Sequence, residues 1–146
     1  MKASTQPKTY SLHLEELPAV RDFSAMYFYM RSHSQDGAFV QLLDQLIGIS
    51  DKLLAQWLNV TPKTYRSYRS NPNLILKDAI KEHIALLLSL YKHGIAVFGQ
   101  KESFEKWLTT ANPILEGEAP EGFLDTITGI QFIDNRLTAM EYGENA

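Results

Sequence analysis

The chain has 146 residues, of which 45% are hydrophobic and 21% charged, with no cysteine and a formal net charge of −3. That is the composition of one globular domain or two small ones, and without cysteine there is no disulfide framework, thiolate metal site or cysteine nucleophile, as suits a reducing compartment. Residues 1–8 lack an apolar signal core and the longest apolar run, residues 84–91 broken by Ser89, is far short of the ~20 residues that span a bilayer, so a soluble, cytoplasmic protein with no membrane partner is expected.

Glycine and proline punctuate the sequence in a helical style with little strict apolar/polar alternation, which predicts an all-α fold. The first ten residues are polar and expected to be disordered, and residues 17–31 read as a helix holding the cluster Met26-Tyr27-Phe28-Tyr29-Met30. In residues 36–47, Phe39, Leu42, Leu43, Leu46 and Ile47 fall at i, i+3, i+4, i+7 and i+8, an amphipathic stripe that Gly48 ends. Ser50 can cap a helix over 51–58, with Asp51 at the positive end of its dipole. Asn59 then suits a left-handed turn, Thr61 an N-cap, and Pro62 the first position of a second helix over 62–70. Helix, three-residue turn and helix, with small Ala55 at the crossing, is a helix-turn-helix pattern.

Beyond Leu74 a long helix is predicted to Phe98, with Ile80, Ile84, Leu87, Leu88, Tyr91 and Ile95 at spacings of three and four, before Gly99 stops it. A short helix over 103–110 carries Phe104, Trp107 and Leu108. A loop over 112–120 follows, then two closing helices, 123–128 and 130–140, separated by Gly129. There is no internal repeat or low-complexity stretch.

Charge is unevenly divided: residues 1–49 carry −1, residues 50–92 carry +4 and residues 100–146 carry −6. A basic middle suits a polyanion and an acidic end does not. Lys63, Arg66 and Arg69 lie at i, i+3 and i+6 with no acidic residue between Thr61 and Ser70, so they share roughly one face. In a helix-turn-helix the N-terminal end of the second helix enters the major groove, which puts Lys63, Thr64 and Arg66 nearest base edges and Lys63 and Arg69 against phosphates. Val60 and Tyr65 are expected to face inward. The alternative is a solvated basic helix in an ordinary helical protein.

Catalytic constellations are missing. His13, His33, His83 and His93 have neither the i, i+4 spacing of a helical metal pair nor a carboxylate arrangement beyond Glu82 beside His83. Phosphate-cradling glycine loops and a nucleophile elbow are absent too, so no catalytic residue, metal or cofactor is expected. Glu116, Glu118 and Glu121 read as a solvated face, and the aromatic residues as core or dimer packing rather than stacking platforms for bases. Most helix-turn-helix proteins are two-fold symmetric, and with the apolar long helix this predicts a homodimer.

The C-terminal half carries an ordered set of motifs: Ala96-Val97-Phe98-Gly99; Trp107-Leu108; Asn112-Pro113; Leu115, Gly117 and Pro120; Leu124-Asp125-Thr126 with Gly129; and Glu141-Tyr142-Gly143. Together they resemble the toxin-binding domain of the Xre-type antitoxins that accompany RES-domain toxins, the MbcA/ParS/Xre antitoxin family. Upstream, Leu58-Asn59-Val60-Thr61-Pro62-Lys63-Thr64 resembles part of that family's Xre-like helix-turn-helix, so the likeness spans residues 36–146. Departures include Glu116-Gly117 where the family often has paired glycines, and Ala139 where it often has arginine.

The resemblance implies a small, non-enzymatic, dimeric antitoxin that inhibits a cognate RES-type toxin, one that consumes NAD or transfers ADP-ribose, and that binds operator DNA to autoregulate. It divides the chain into an N-terminal extension (1–35), an Xre-like helix-turn-helix domain (36–76) and a toxin-binding domain (77–146). It also implies toxin contacts from Arg136, Glu141, Tyr142, Gly143, Asn145 and Ala146 on the last helix and tail. The competing readings are a stand-alone transcription regulator whose C-terminal domain only dimerises or binds an effector, and a chain end in which Tyr142 packs on Trp107 and the tail frays.

Overall fold

The computed structural model describes residues 12–143. Among them are seven α-helices and no strand: α1 (Phe23–Ser32), α2 (Asp36–Leu46), α3 (Asp51–Leu58), α4 (Pro62–Ser70), α5 (Asp78–Phe98), α6 (Lys101–Leu108) and α7 (Ile127–Glu141). The fold is all-α, as the periodicity predicts. The expected disorder of the first ten residues concerns positions outside the described ones.

Local chemistry sets the helix boundaries. α1 begins six residues later than expected, because Leu17 is held extended before Pro18 and Asp22 caps the helix by accepting the Ala25 N–H at 3.2 Å. Ser50 caps α3 and Thr61 caps α4 through their hydroxyls, Pro62 occupies the first turn of α4, and Asn59 between them is left-handed with φ 59°. α5 starts at Asp78 rather than at Leu74, since the Leu76 N–H is given to Asp36 at 2.7 Å. α6 spans Lys101–Leu108, two residues earlier than predicted at each end.

The closing region departs most from expectation. Residues 123–128 and 130–140 do not form two helices; α7 is a single helix capped by the Thr126 hydroxyl, with Gly129 inside its first turn. Glycine sits there because a Cβ would lie 1.7 Å from the Phe123 carbonyl oxygen, so the position is a close approach rather than a break. Before it, the loop is built of two 3₁₀ turns, Pro113–Leu115 and Pro120–Phe123.

α5 is the element everything else covers. His83 through Tyr91 are buried without interruption, so this helix is enclosed on all sides, packing against α1, α2, α3, α6 and α7. One apolar core runs from Leu12 to Leu137. Several polar groups taken inside are paired: Lys81 meets Asp36 at 2.9 Å, Ser89 donates to the Pro18 carbonyl at 2.6 Å, and His83 Nε2–H donates to the Leu124 carbonyl at 2.8 Å, whereas the Tyr29 hydroxyl is buried without a hydrogen-bond partner among the described residues. Gly94 lets the Phe104 ring lie against the α5 backbone, where a Cβ would stand 2.2 Å from it.

Candidate functional site

Two surfaces carry the residues that the sequence singles out. The first is the outer side of α3 and α4. Lys63 and Arg66 are exposed and Thr64 is half-buried, bonded through its backbone and hydroxyl to Thr61. Tyr65 is fully buried, donating its hydroxyl to Asp44 at 3.1 Å, and Val60 is half-buried; both face inward as expected.

Arg69 is differently employed from its sequence neighbours. It makes a bidentate pair with Asp51, at 2.7 and 3.1 Å, and a third contact with Asp44 at 3.1 Å, while Arg66 lies 3.9 Å from Asp51. The hydrogen-bonded Arg69 holds the Asp51 carboxyl below its ordinary range. Counting acids only between Thr61 and Ser70 misses these partners, because they come from α2 and α3. The charge that α4 presents outward is therefore carried first by Lys63 and Arg66.

The second surface is the C-terminal end of α7, where it lies against α5. The sequence finds no carboxylate arrangement around His93, and the structure corrects this: Asp134 and Glu141, seven residues apart and so on one face of α7, both meet the His93 ring. Nδ1 is 2.7 Å from a carboxylate oxygen of the buried Asp134, and Nε2 makes a very short contact with Glu141. Both ring nitrogens face acceptors, so the pair of bonds is complete only when the ring is imidazolium. The hydrogen bond to Asp134 is the main cause raising the His93 pKa, with Glu141 adding to it and burial opposing. The i, i+7 spacing on α7 was the signal available; its partner on α5 was not.

This clamp is one wall of a pocket of about 330 Å³ whose rim includes Leu17, Arg21, Lys92, His93, Glu141 and Tyr142. Lys92 reaches the Glu15 and Leu17 carbonyls at 2.7 and 2.8 Å, and Arg21 donates to the Thr138 hydroxyl. Tyr142 is 84% exposed, which excludes the alternative in which it packs on Trp107; that indole lies with Phe98 and Phe104 instead. Gly143 has φ 89°, turning the chain at the helix end, and Arg136 is half-buried with contacts of its own. Asn145 and Ala146 lie outside the described residues.

Between the surfaces, the loop before α7 is tied to α3 and to the turn after it. Trp57 Nε1–H donates to the Glu121 carbonyl at 3.0 Å and Asn59 Nδ2–H to the Asp125 carbonyl at 2.9 Å. Earlier in the same loop the Asn112 side chain accepts the Ile114 N–H, and Glu116 and Gly117 are both left-handed, with φ 59° and 86°. Backbone geometry thus accounts for the glycines that the resembling family often carries there.

The end of α5, α6, both loop turns and α7 form one continuous stretch of sequence ending at Gly143. Residues 93–143 match the antitoxin Xre/MbcA/ParS C-terminal toxin-binding domain. The matched segment begins at His93 and includes every member of the clamp as well as Arg136, Glu141, Tyr142 and Gly143. Helices α1 to α4 lie outside this toxin-binding domain match. No curated protein matches the chain. Among the described residues no helix is long and apolar enough to cross a membrane.

Proposed function

We propose that the protein is the antitoxin of a toxin-antitoxin pair, that it inhibits a RES-type toxin through the end of α7 and the tail, and that α3 and α4 bind operator DNA as a homodimer. The observation that carries this reading is the toxin-binding domain match over residues 93–143, ending at an exposed Tyr142 and a left-handed Gly143. The helix supplies a rigid support, and the exposed Tyr142 at its end can enter the mouth of an active site. A net charge of −6 over residues 100–146 suits a toxin whose pocket is electropositive because its substrate carries a pyrophosphate. Lys63, Thr64, Arg66 and Arg69 are the proposed DNA contacts, and Arg136, Glu141, Tyr142, Gly143, Asn145 and Ala146 the proposed toxin contacts.

Co-expression with the RES-type product of an adjacent reading frame tests this reading. The tagged chain should retain that product and restore growth. Deleting residues 142–146 should leave the melting transition unchanged and abolish protection. Full protection by the truncated chain would place inhibition elsewhere, and failure of the intact chain to retain the product would overturn the antitoxin reading in favour of a stand-alone regulator.

A further inference from the structure

The long helix α5, whose apolar residues suggest dimerisation in the sequence, spends them inside the protomer, where His83 to Tyr91 are all buried. A different helix leaves apolar surface uncovered. α1 buries Met26 and Tyr29 against the core yet leaves Phe23, Tyr27 and Phe28 exposed by 67, 50 and 65%. A helix apolar on both sides is the pattern of one covered on both sides.

The exposed rings form one ridge. Phe23 and Tyr27 are a turn apart, Tyr27 meets Phe28 edge-to-face at 5.3 Å, and Arg31 lies over the Tyr27 ring while donating to its hydroxyl at 3.1 Å. Flanking this ridge are two grooves of about 270 and 420 Å³, both lined by Tyr27, Met30 and the exposed Glu82 of α5.

We propose that this face of α1 is the homodimer interface, with a second copy of the chain as its occupant. The patch is complementary to itself: an aromatic ridge stands beside grooves able to receive one, and the larger groove is lined by both Arg31 and Glu82. A two-fold axis through the patch places each feature opposite its complement, which is what an isologous contact requires. With ~200 Å² per aromatic side chain, the three rings offer roughly 350 Å² per copy toward the ~800 Å² typical of a stable partner face, and Met30, Arg31 and the groove walls extend it. The inference rests on the homodimer reading above and supplies its location; its aromatic ridge, Arg31 and Glu82 lie outside the toxin-binding domain match, and only Ile127 and Gln131 in the wall of the smaller groove fall within it.

Light scattering on the full chain at micromolar concentration tests it. The wild type should have twice the chain mass. Phe28→Ser and the charge reversals Arg31→Glu and Glu82→Arg should each shift the chain toward monomer, with helical circular dichroism unchanged. Mixing Arg31→Glu with Glu82→Arg should restore dimers, because in that pairing both cross-contacts again join opposite charges; the double variant Arg31→Glu/Glu82→Arg should also dimerise. A dimer indifferent to all these changes would overturn this surface while leaving the homodimer reading intact. A monomeric wild type would overturn both.

Discussion

Asn59 turns the chain between α3 and α4 with φ 59° and, from the same residue, donates its amide Nδ2–H to the Asp125 carbonyl at 2.9 Å. One side chain thus meets a backbone demand and a tertiary one. Asn59→Ala should lower unfolding free energy by about 1–3 kcal/mol, combining left-handed strain with the lost hydrogen bond, whereas Asn59→Gly should lose only about 1 kcal/mol. Urea midpoints of the two variants separate the contributions; equal losses would mean that the turn carries no strain.

Glycine positions make a paired prediction. Gly129→Ala drives a Cβ into the Phe123 carbonyl and Gly94→Ala drives one into the Phe104 ring, so each should destabilise by about 1–3 kcal/mol or more. Gly37 lies within α2 with open space around it, and Gly37→Ala should stabilise by roughly 0.5–1 kcal/mol. Thermal melts of the three variants should therefore move in opposite directions.

The same residues mark how far the sequence could be read. Ser50, Asn59, Thr61 and Pro62 act on backbone within a few positions of themselves, so α3, the turn and α4 were legible from local chemistry. In the sequence Gly129 reads as a break, because its role depends on the Phe123 carbonyl, folded back by the preceding 3₁₀ turn. The absence of acids between Thr61 and Ser70 says nothing of Arg69's partners, because Asp44 and Asp51 reach it from other helices. His93 looked unpartnered because its two carboxylates lie 41 and 48 positions away. Tertiary partners at such separations leave no periodic trace.

Protonation of His93 gives stability a definite sign with pH. Its pKa is raised in the folded chain, so the stabilisation is fully present below the ordinary value near 6.5 and is lost as pH rises through the folded value. His83 runs the other way: burial lowers its pKa, and stability falls as pH drops below about 6.5. His93→Gln should therefore melt furthest below the wild type at mildly acidic pH, with the gap narrowing in alkali. A gap independent of pH would show that the imidazolium form is not what Asp134 and Glu141 hold.

For DNA binding, Lys63→Ala should weaken all sequences alike and reduce the salt slope by about 1 if Lys63 touches phosphates only, whereas a base contact would make the loss specific to one position. Asp51→Asn removes the carboxylate that engages Arg69 and lies beside Arg66, so it should strengthen binding and steepen the slope. Anisotropy titrations between 50 and 200 mM salt, on the order of the range over which counterion release is measured, check both. A weaker or unchanged Asp51→Asn variant would mean that the pair orients these arginines rather than withholding them.

Because α5 gives its buried residues to helices from both ends of the chain, cutting after residue 76 cannot yield two self-sufficient pieces. The piece holding α5 would expose the side of that helix which α1, α2 and α3 cover, and the other would lose its main packing partner. Unfolding should then be one cooperative event. In native-state hydrogen exchange, amides from His83 to Tyr91 would open only with the whole molecule, while the last turn of α7 exchanges by local fraying.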